Sequence, residues 1–171
     1  MPRIYEYVGP QEIRERSHNS PPGVPIYSKQ GLLNWFHDHR EDLDQANQLV
    51  ATFVIDLKGE LLLAPRQSEH VACAGGAPVR SAGEITLTTK GEVFEISNQS
   101  TGYCPEPESW PACQEVFERL SVTHPGHFTQ QIIFRRCPAC HERNVVKDDW
   151  FVCAICGGDL PETWNFSSDG I

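Results

Sequence analysis

The residues best equipped for chemistry in this 171-residue chain are its seven cysteines: Cys73, Cys104, Cys113, Cys137, Cys140, Cys153 and Cys156. The last four read C-P-A-C, twelve residues, then C-A-I-C. Each C-x-x-C makes a tight knuckle that turns two thiolates toward one point, and two knuckles complete a tetrahedron of sulfur around Zn²⁺. The first residues, MPRIYEYVGPQEIRERS, carry charge throughout and contain no apolar core of signal-peptide length. A secreted disulfide framework is therefore not expected, and the spacing reads as a metal site. Four thiolates leave no open position for water or substrate, so the metal's work is to supply folding free energy to a small hairpin. Iron in a rubredoxin-like site and redox use of the pairs are the alternatives.

Gly157 and Gly158 follow the second knuckle, where positive φ is often required, and Asn144 to Trp150 have the length to form a hairpin joining the two halves. The segment from Arg136 to Leu160 resembles a zinc ribbon, a broad structural class. Arg135, Arg136, Arg143 and Lys147 lie in or beside it with only Glu142 among them, a short basic patch. Trp150 and Phe151, next to that patch, either touch a protein or nucleic-acid partner or pack against the ribbon.

Cys73, Cys104 and Cys113 remain. They read as buried free thiols, the common state of unpaired cysteine; a second metal site shared with His70, His124 or His127 is the alternative. His37 and His39 fall at the edges of a helical stripe and read as solvated. The densest unusual stretch runs EHVACAGGAPVRSAGEI and, after a hairpin signal, NQSTGYCPEP. Its polar groups His70, Glu84, Asn98, Ser100 and Tyr103 lie near strand ends, where function concentrates on rigid scaffolds. They are the candidate catalytic residues. His70 and Glu84 would act as a general acid–base pair, or else form strand-end links; Asn98, Ser100 and Tyr103 would line the pocket, or else satisfy turn backbone. No G-x-S-x-G, H-E-x-x-H, P-loop or G-x-G-x-x-G occurs.

This stretch, His70 to Pro105, resembles a segment of the plant IQ-motif calmodulin-binding proteins, in its His70, Gly75-Gly76, Ala82-Gly83, Gly91, Ile96 and Ser100-Thr101-Gly102-Tyr103-Cys104-Pro105. Small shifts occur around Gly75-Gly76, and Thr101-Gly102 stands where that family has Gly-His. The resemblance implies shared local structure, with no catalytic role attached. No IQ motif is present, so calmodulin binding does not carry over. Cys104 and Cys113 also frame a C-x8-C with Glu84 upstream, as in nucleoside deaminases, but that chemistry needs a metal ligand two positions before the Glu, where this chain has Ala82.

The elements that must position these groups follow from patterning. Pro10, Pro21, Pro22 and Pro25 with Gly9 and Gly23 make residues 1–26 mostly loop, with a short strand at Arg3 to Val8. Ser28 caps a helix over 29–46, with Leu32, Leu33, Phe36 and Leu43 on one stripe. Leu49 to Asp56 and Glu60 to Ala64 form one hairpin; Glu84 to Thr89 and Glu92 to Ser97 form a second around Lys90-Gly91, with Ile85, Leu87, Val93, Phe94 and Ile96 facing a core. Ser109 caps a helix with Pro111 in its first turn and Cys113, Val116, Phe117 and Leu120 buried. Phe128 to Phe134 is the strand leading into the ribbon. The expected fold is α+β, a mainly antiparallel sheet with two helices plus a C-terminal zinc ribbon, divided as residues 1–134 and 135–171.

Composition bounds the rest. Hydrophobic residues are 39% and charged residues 22%, inside the globular range, and no apolar run approaches membrane-spanning length. Net charge is −9, concentrated between residues 41 and 134, where five basic groups face thirteen acidic ones. Such a body repels phosphate backbones, leaving nucleic-acid contact to the ribbon alone. The sequence predicts a small cytosolic zinc-ribbon protein acting as a binding or regulatory module toward another protein. A transferase or hydrolase using the polar Gly-rich loops of residues 70–105 is the alternative.

Overall fold

The computed structural model describes residues 3–166. It is α+β: a five-stranded antiparallel sheet in the order β1-β3-β2-β4-β5, a two-stranded ribbon β6-β7, and four helices. The two hairpins form where turn chemistry and alternation placed them. β2 (Leu49–Ile55) pairs with β3 (Leu61–Pro65), and the connection is closed by Asp56, whose carboxylate accepts from Lys58 and Glu60 N–H at 2.9 Å, with Gly59 at φ +81°. β4 (Ser81–Leu87) pairs with β5 (Val93–Ile96) through a register shift at Thr86/Leu87. That bulge turns Phe94 to solvent, at 53% exposure, while Ile85, Leu87, Val93 and Ile96 stay buried. The sequence had put Phe94 in the core. At Gly83 in β4 a Cβ would collide with the Ser97 carbonyl, so only glycine lets the two strands close here.

One face of the sheet carries the main core. Ala51, Phe53, Ile55, Leu61, Leu63, Ile85 and Leu87 pack against two helices, α2 (Lys29–Asp38) through Leu32, Trp35 and Phe36, and α4 (Trp110–Arg119) through Cys113, Val116 and Phe117. Each large side chain so buried contributes about 2 kcal/mol. Ser28 caps α2 by accepting from Gly31 N–H at 2.9 Å. The helix stops at Asp38, short of 46, and gives way to a 3₁₀ turn at Arg40–Asp42. Ser109 precedes α4 without capping it, because its hydroxyl is hydrogen-bonded to that of Ser81 inside the core, at 2.9 Å.

The N-terminal stretch departs most from its proline-rich reading. Helix α1 (Gln11–Ser17) stands where a loop was expected; its sequence, QEIRERS, offers one apolar residue, so no stripe announces it. Arg3 to Val8 is not a strand: Tyr5 alone exchanges backbone bonds with Val79, at 2.7 and 2.9 Å. β1 (Val24–Ile26) adds to the sheet beside β3, with Pro25 at its centre. A four-residue helix α3 (His70–Cys73) lies on the second sheet face, over Val54, Ala64 and Ala82. Phe128 to Phe134 is likewise not a strand. This stretch covers the outer edge of β5, with Thr129 N–H donating to the Ile96 carbonyl and the Thr129 hydroxyl accepting from Ile96 N–H, and the ribbon strand begins only at Ile133.

Candidate functional site

β6 (Ile133–Arg136) and β7 (Arg143–Val146) pair from Ile133↔Val146 to Arg136↔Arg143, so the first knuckle, Cys137–Cys140, is itself the hairpin connection. The second knuckle, Cys153–Cys156, repeats the same local geometry. In the first, Cys137 N–H donates to the Glu142 carbonyl and His141 N–H to the Cys137 carbonyl, at 2.9 and 2.8 Å; in the second, Cys153 pairs with Gly158 and Gly157 in the same way, at 2.7 and 3.0 Å. The residue after each second cysteine is left-handed, His141 at φ +67° and Gly157 at +76°. Gly158 has no positive φ, contrary to expectation. A Cβ there would sit close against the cluster, 3.3 Å from Cys156 Sγ and 3.5 Å from Cys137 Sγ.

The four sulfurs all lie within 4.8 Å of one another, with Cys137–Cys156 at 3.5 Å and Cys140–Cys153 at 3.6 Å. Metal–sulfur bonds of about 2.3 Å in a tetrahedron require sulfur–sulfur edges of about 3.8 Å. The cluster is therefore close enough to hold one metal ion, and it is the only such group among the described residues. Asn144, on β7, ties the ribbon hairpin to the second knuckle: its carbonyl oxygen accepts from Ala154 N–H at 2.9 Å, and its amide donates to Cys153 Sγ at 3.3 Å. Sequence reading missed this role, because an Asn opening a hairpin looks like a turn residue.

Hydrogen bonding prepares the thiols unequally. The Cys156 N–H, joined by the Asn144 amide and Ile155 N–H, brings Cys153 down to about 6, and the Cys140 and Ala139 N–H groups lower Cys137. For Cys140 the Glu142 N–H favours the thiolate, yet burial and the three neighbouring sulfurs win and push it up to about 12. Two of the four thiols are thus lowered and the other two raised, as like charges at this spacing oppose one another. A cation removes that conflict.

The ribbon is fastened to the body. Arg135, counted in the basic patch from sequence, is 4% exposed. Its guanidinium pairs with Glu106 and donates to the Pro161 and Glu162 carbonyls at 3.1 and 2.7 Å. Arg143 donates to the Thr101 carbonyl at 3.1 Å yet stays exposed, so Arg136, Arg143 and Lys147 are what remains of the patch. The Trp164 indole donates to the Cys104 carbonyl at 2.7 Å, tying the segment after the ribbon back to the body. Phe151 packs into the ribbon's own core, whereas Trp150 is 71% exposed.

The residues of the 70–105 stretch scatter. His70 Nε2 donates to the Gly83 carbonyl at 2.9 Å, and burial lowers its basicity. Glu84 pairs with Arg66 at 3.0 Å. These two line one open cleft of about 270 Å³. Asn98 is wholly buried, and its amide group bridges the Pro105 and Ile132 carbonyls and Ile132 N–H, all within 2.8 Å. The Ser100 hydroxyl accepts from Tyr103 N–H; the buried Tyr103 hydroxyl donates to the Ala77 carbonyl at 2.7 Å, and burial raises it further above its ordinary value. The five do not converge. Nor do the remaining cysteines: Cys73, Cys104 and Cys113 sit in three separate cores, each pushed up to about 12 by burial. His124 packs on the Trp110 and Phe117 rings instead of on a thiol, and His127 is turned to solvent.

No helix is long and apolar enough to cross a membrane among the described residues. No protein-family model, curated protein or solved structure matches this chain, the stretch resembling the IQ-motif proteins included.

Proposed function

We propose that this chain is a zinc-stapled binding module whose ribbon presents a contact strip to a protein partner. The observation that carries it is the convergence of four sulfurs at near-tetrahedral spacing from two geometrically repeated knuckles. An all-thiolate tetrahedron suits Zn²⁺, which takes sulfur at about 2.3 Å and undergoes no redox change. Cys137, Cys140, Cys153 and Cys156 would hold it, with Asn144 orienting Cys153. The ion would supply folding free energy and charge neutralisation. A reducing compartment such as the cytoplasm suits free thiols of this kind.

The contact strip is the outer face of the ribbon. Val145 in β7 and Lys147 just past its end both face solvent, with Val145 47% exposed, and Trp150 follows across the turn, bridged to Lys147. Tryptophan is among the residue types enriched at the anchoring points of protein interfaces. Metal analysis of the purified chain should return about one zinc per chain, falling to near zero in Cys153→Ser. Iron, or a metal-free chain with a stably folded tail, overturns the zinc. A crosslinker at Lys147 should give a discrete protein adduct that Trp150→Ala abolishes; an adduct indifferent to Trp150 overturns the strip.

A further inference from the structure

A cavity of about 520 Å³ lies where the N-terminal stretch, the start of α4 and the segment after the ribbon come together, lined by Tyr5, Ser109, Ala112 and Trp164. That is the volume of an ordinary small-molecule site, and a bare ion would leave most of it empty. Tyr5 is 2% exposed. The hydroxyls of Tyr7 and Tyr103 donate to the Pro10 and Ala77 carbonyls, each at 2.7 Å, whereas that of Tyr5 donates to no group among the described residues. Nor is it sealed, since the Trp35 indole nitrogen alone among the described side-chain polar atoms is both closed to solvent and unpartnered. The Tyr5 hydroxyl therefore opens on the cavity. Glu106 N–H faces its oxygen, and burial raises its pKa, so it keeps a proton that an acceptor would match. Beside it begins α4, ten residues long and without a side-chain cap, because the Ser109 hydroxyl is bonded to Ser81. The positive end of that helix dipole lies at the cavity and favours the same kind of group, an anionic oxygen.

Charges of both signs stand around this cavity without partners. The ion pairs among the described residues join Arg66 to Glu84, Arg119 to Glu60 and Arg135 to Glu106. Arg3, Arg80, Glu108 and Glu162 all line the cavity and belong to none of these pairs. The Arg3 guanidinium lies over the Trp164 ring, 4.9 Å from its centroid. Arg80 uses its Nε on the Leu57 carbonyl, at 3.1 Å, and precedes Ser81, which places it at the α4 end. Two cations and two carboxylates cancel, so the surroundings favour neither a plain anion nor a plain cation. A ligand that carries both signs finds a partner for each. The Trp164 ring and Pro111 supply apolar wall for the rest of it.

We propose that this cavity binds a small zwitterion, an apolar amino acid, with its carboxylate on the Tyr5 hydroxyl and Arg80 and its ammonium toward Glu108 and Glu162. The site shares no residue with the ribbon strip and stands whether or not that strip is a contact. The test is an NMR titration of the isotopically labelled full chain with L-phenylalanine, beside phenylpropionate, which lacks the ammonium, and phenethylamine, which lacks the carboxylate. L-Phenylalanine should give saturable shifts at the Ala112 amide and the Trp164 indole N–H, and each one-charge analogue should bind about tenfold more weakly. Tyr5→Phe keeps the ring and removes only the hydroxyl, and should weaken L-phenylalanine about fivefold. Arg80→Gln with Glu162→Gln, neither of them in the core, should weaken it about tenfold; if Tyr5→Phe unfolds, this double variant decides alone. No saturable shift, shifts confined to residues away from the cavity, or binding indifferent to the double variant each overturns the site. Equal binding of phenylpropionate or phenethylamine overturns its assignment to a zwitterion.

Discussion

Asn98 and His70 look like chemistry in the sequence, and in the fold the side chains of both are hydrogen-bonded to backbone groups. Both stand among glycines near strand ends, the setting of many active sites. Yet the partner of Asn98 that matters most, Ile132, lies 34 residues later, and no local pattern announces so distant a pairing. The four clustered cysteines were legible because their arrangement is written in spacing of two and twelve residues, which local backbone geometry alone can honour. His141 was not legible, since a left-handed position normally advertises itself with glycine. His70 carries a pH consequence. Burial holds it below its ordinary value of about 6.5, so the unfolded chain binds the extra proton first. Stability should therefore be full above about pH 6.5 and decline as pH falls through the folded value, by about 1.4 kcal/mol per unit of lowering. Urea midpoints across that window should fall more steeply for the parent than for His70→Gln; parallel curves exclude the effect.

At the scale of elements, hairpins were easy and their neighbours hard. The β2–β3 and β4–β5 connections are set by Asp56-to-Gly59 and Lys90-Gly91, whose turn chemistry is local. Helix α1 lacks an apolar stripe, and α3 is a single turn held by the sheet it covers, so neither had a periodic signature to read. The clearest failure of local reading is Arg135. Counted with its basic neighbours, it in fact turns inward to Glu106, 29 residues away, and fixes β6 to the body. Removing one member of such an ion pair leaves the other charge stranded. Arg135→Met should cost about 3–5 kcal/mol in chemical denaturation, and adding Glu106→Gln should restore part of the loss. If the single substitution costs under about 1 kcal/mol, as exposed pairs do, Arg135 is no anchor.

For the molecule as a whole, the α+β architecture followed from hydrophobic runs of strand length, whereas the joining of sheet and ribbon did not, because it rests on contacts between distant segments. Arg135, Arg143 and Trp164 make that joint. Chelation should accordingly do more than melt the knuckles. Hydrogen exchange after metal removal should show protection lost across β6 and β7 and reduced around Glu106 and Cys104, with β2 and β4 at the sheet centre unchanged. Protection retained throughout residues 133–160 would mean that no metal stabilises them. The sheet's two borders carry a separate consequence. β1 is three residues long with Pro25, which has no N–H to offer, and β5 is overlaid by Thr123 and Thr129, which take up its backbone groups. Neither border of the five-stranded sheet presents a free ladder, so this sheet offers another chain no template for strand addition.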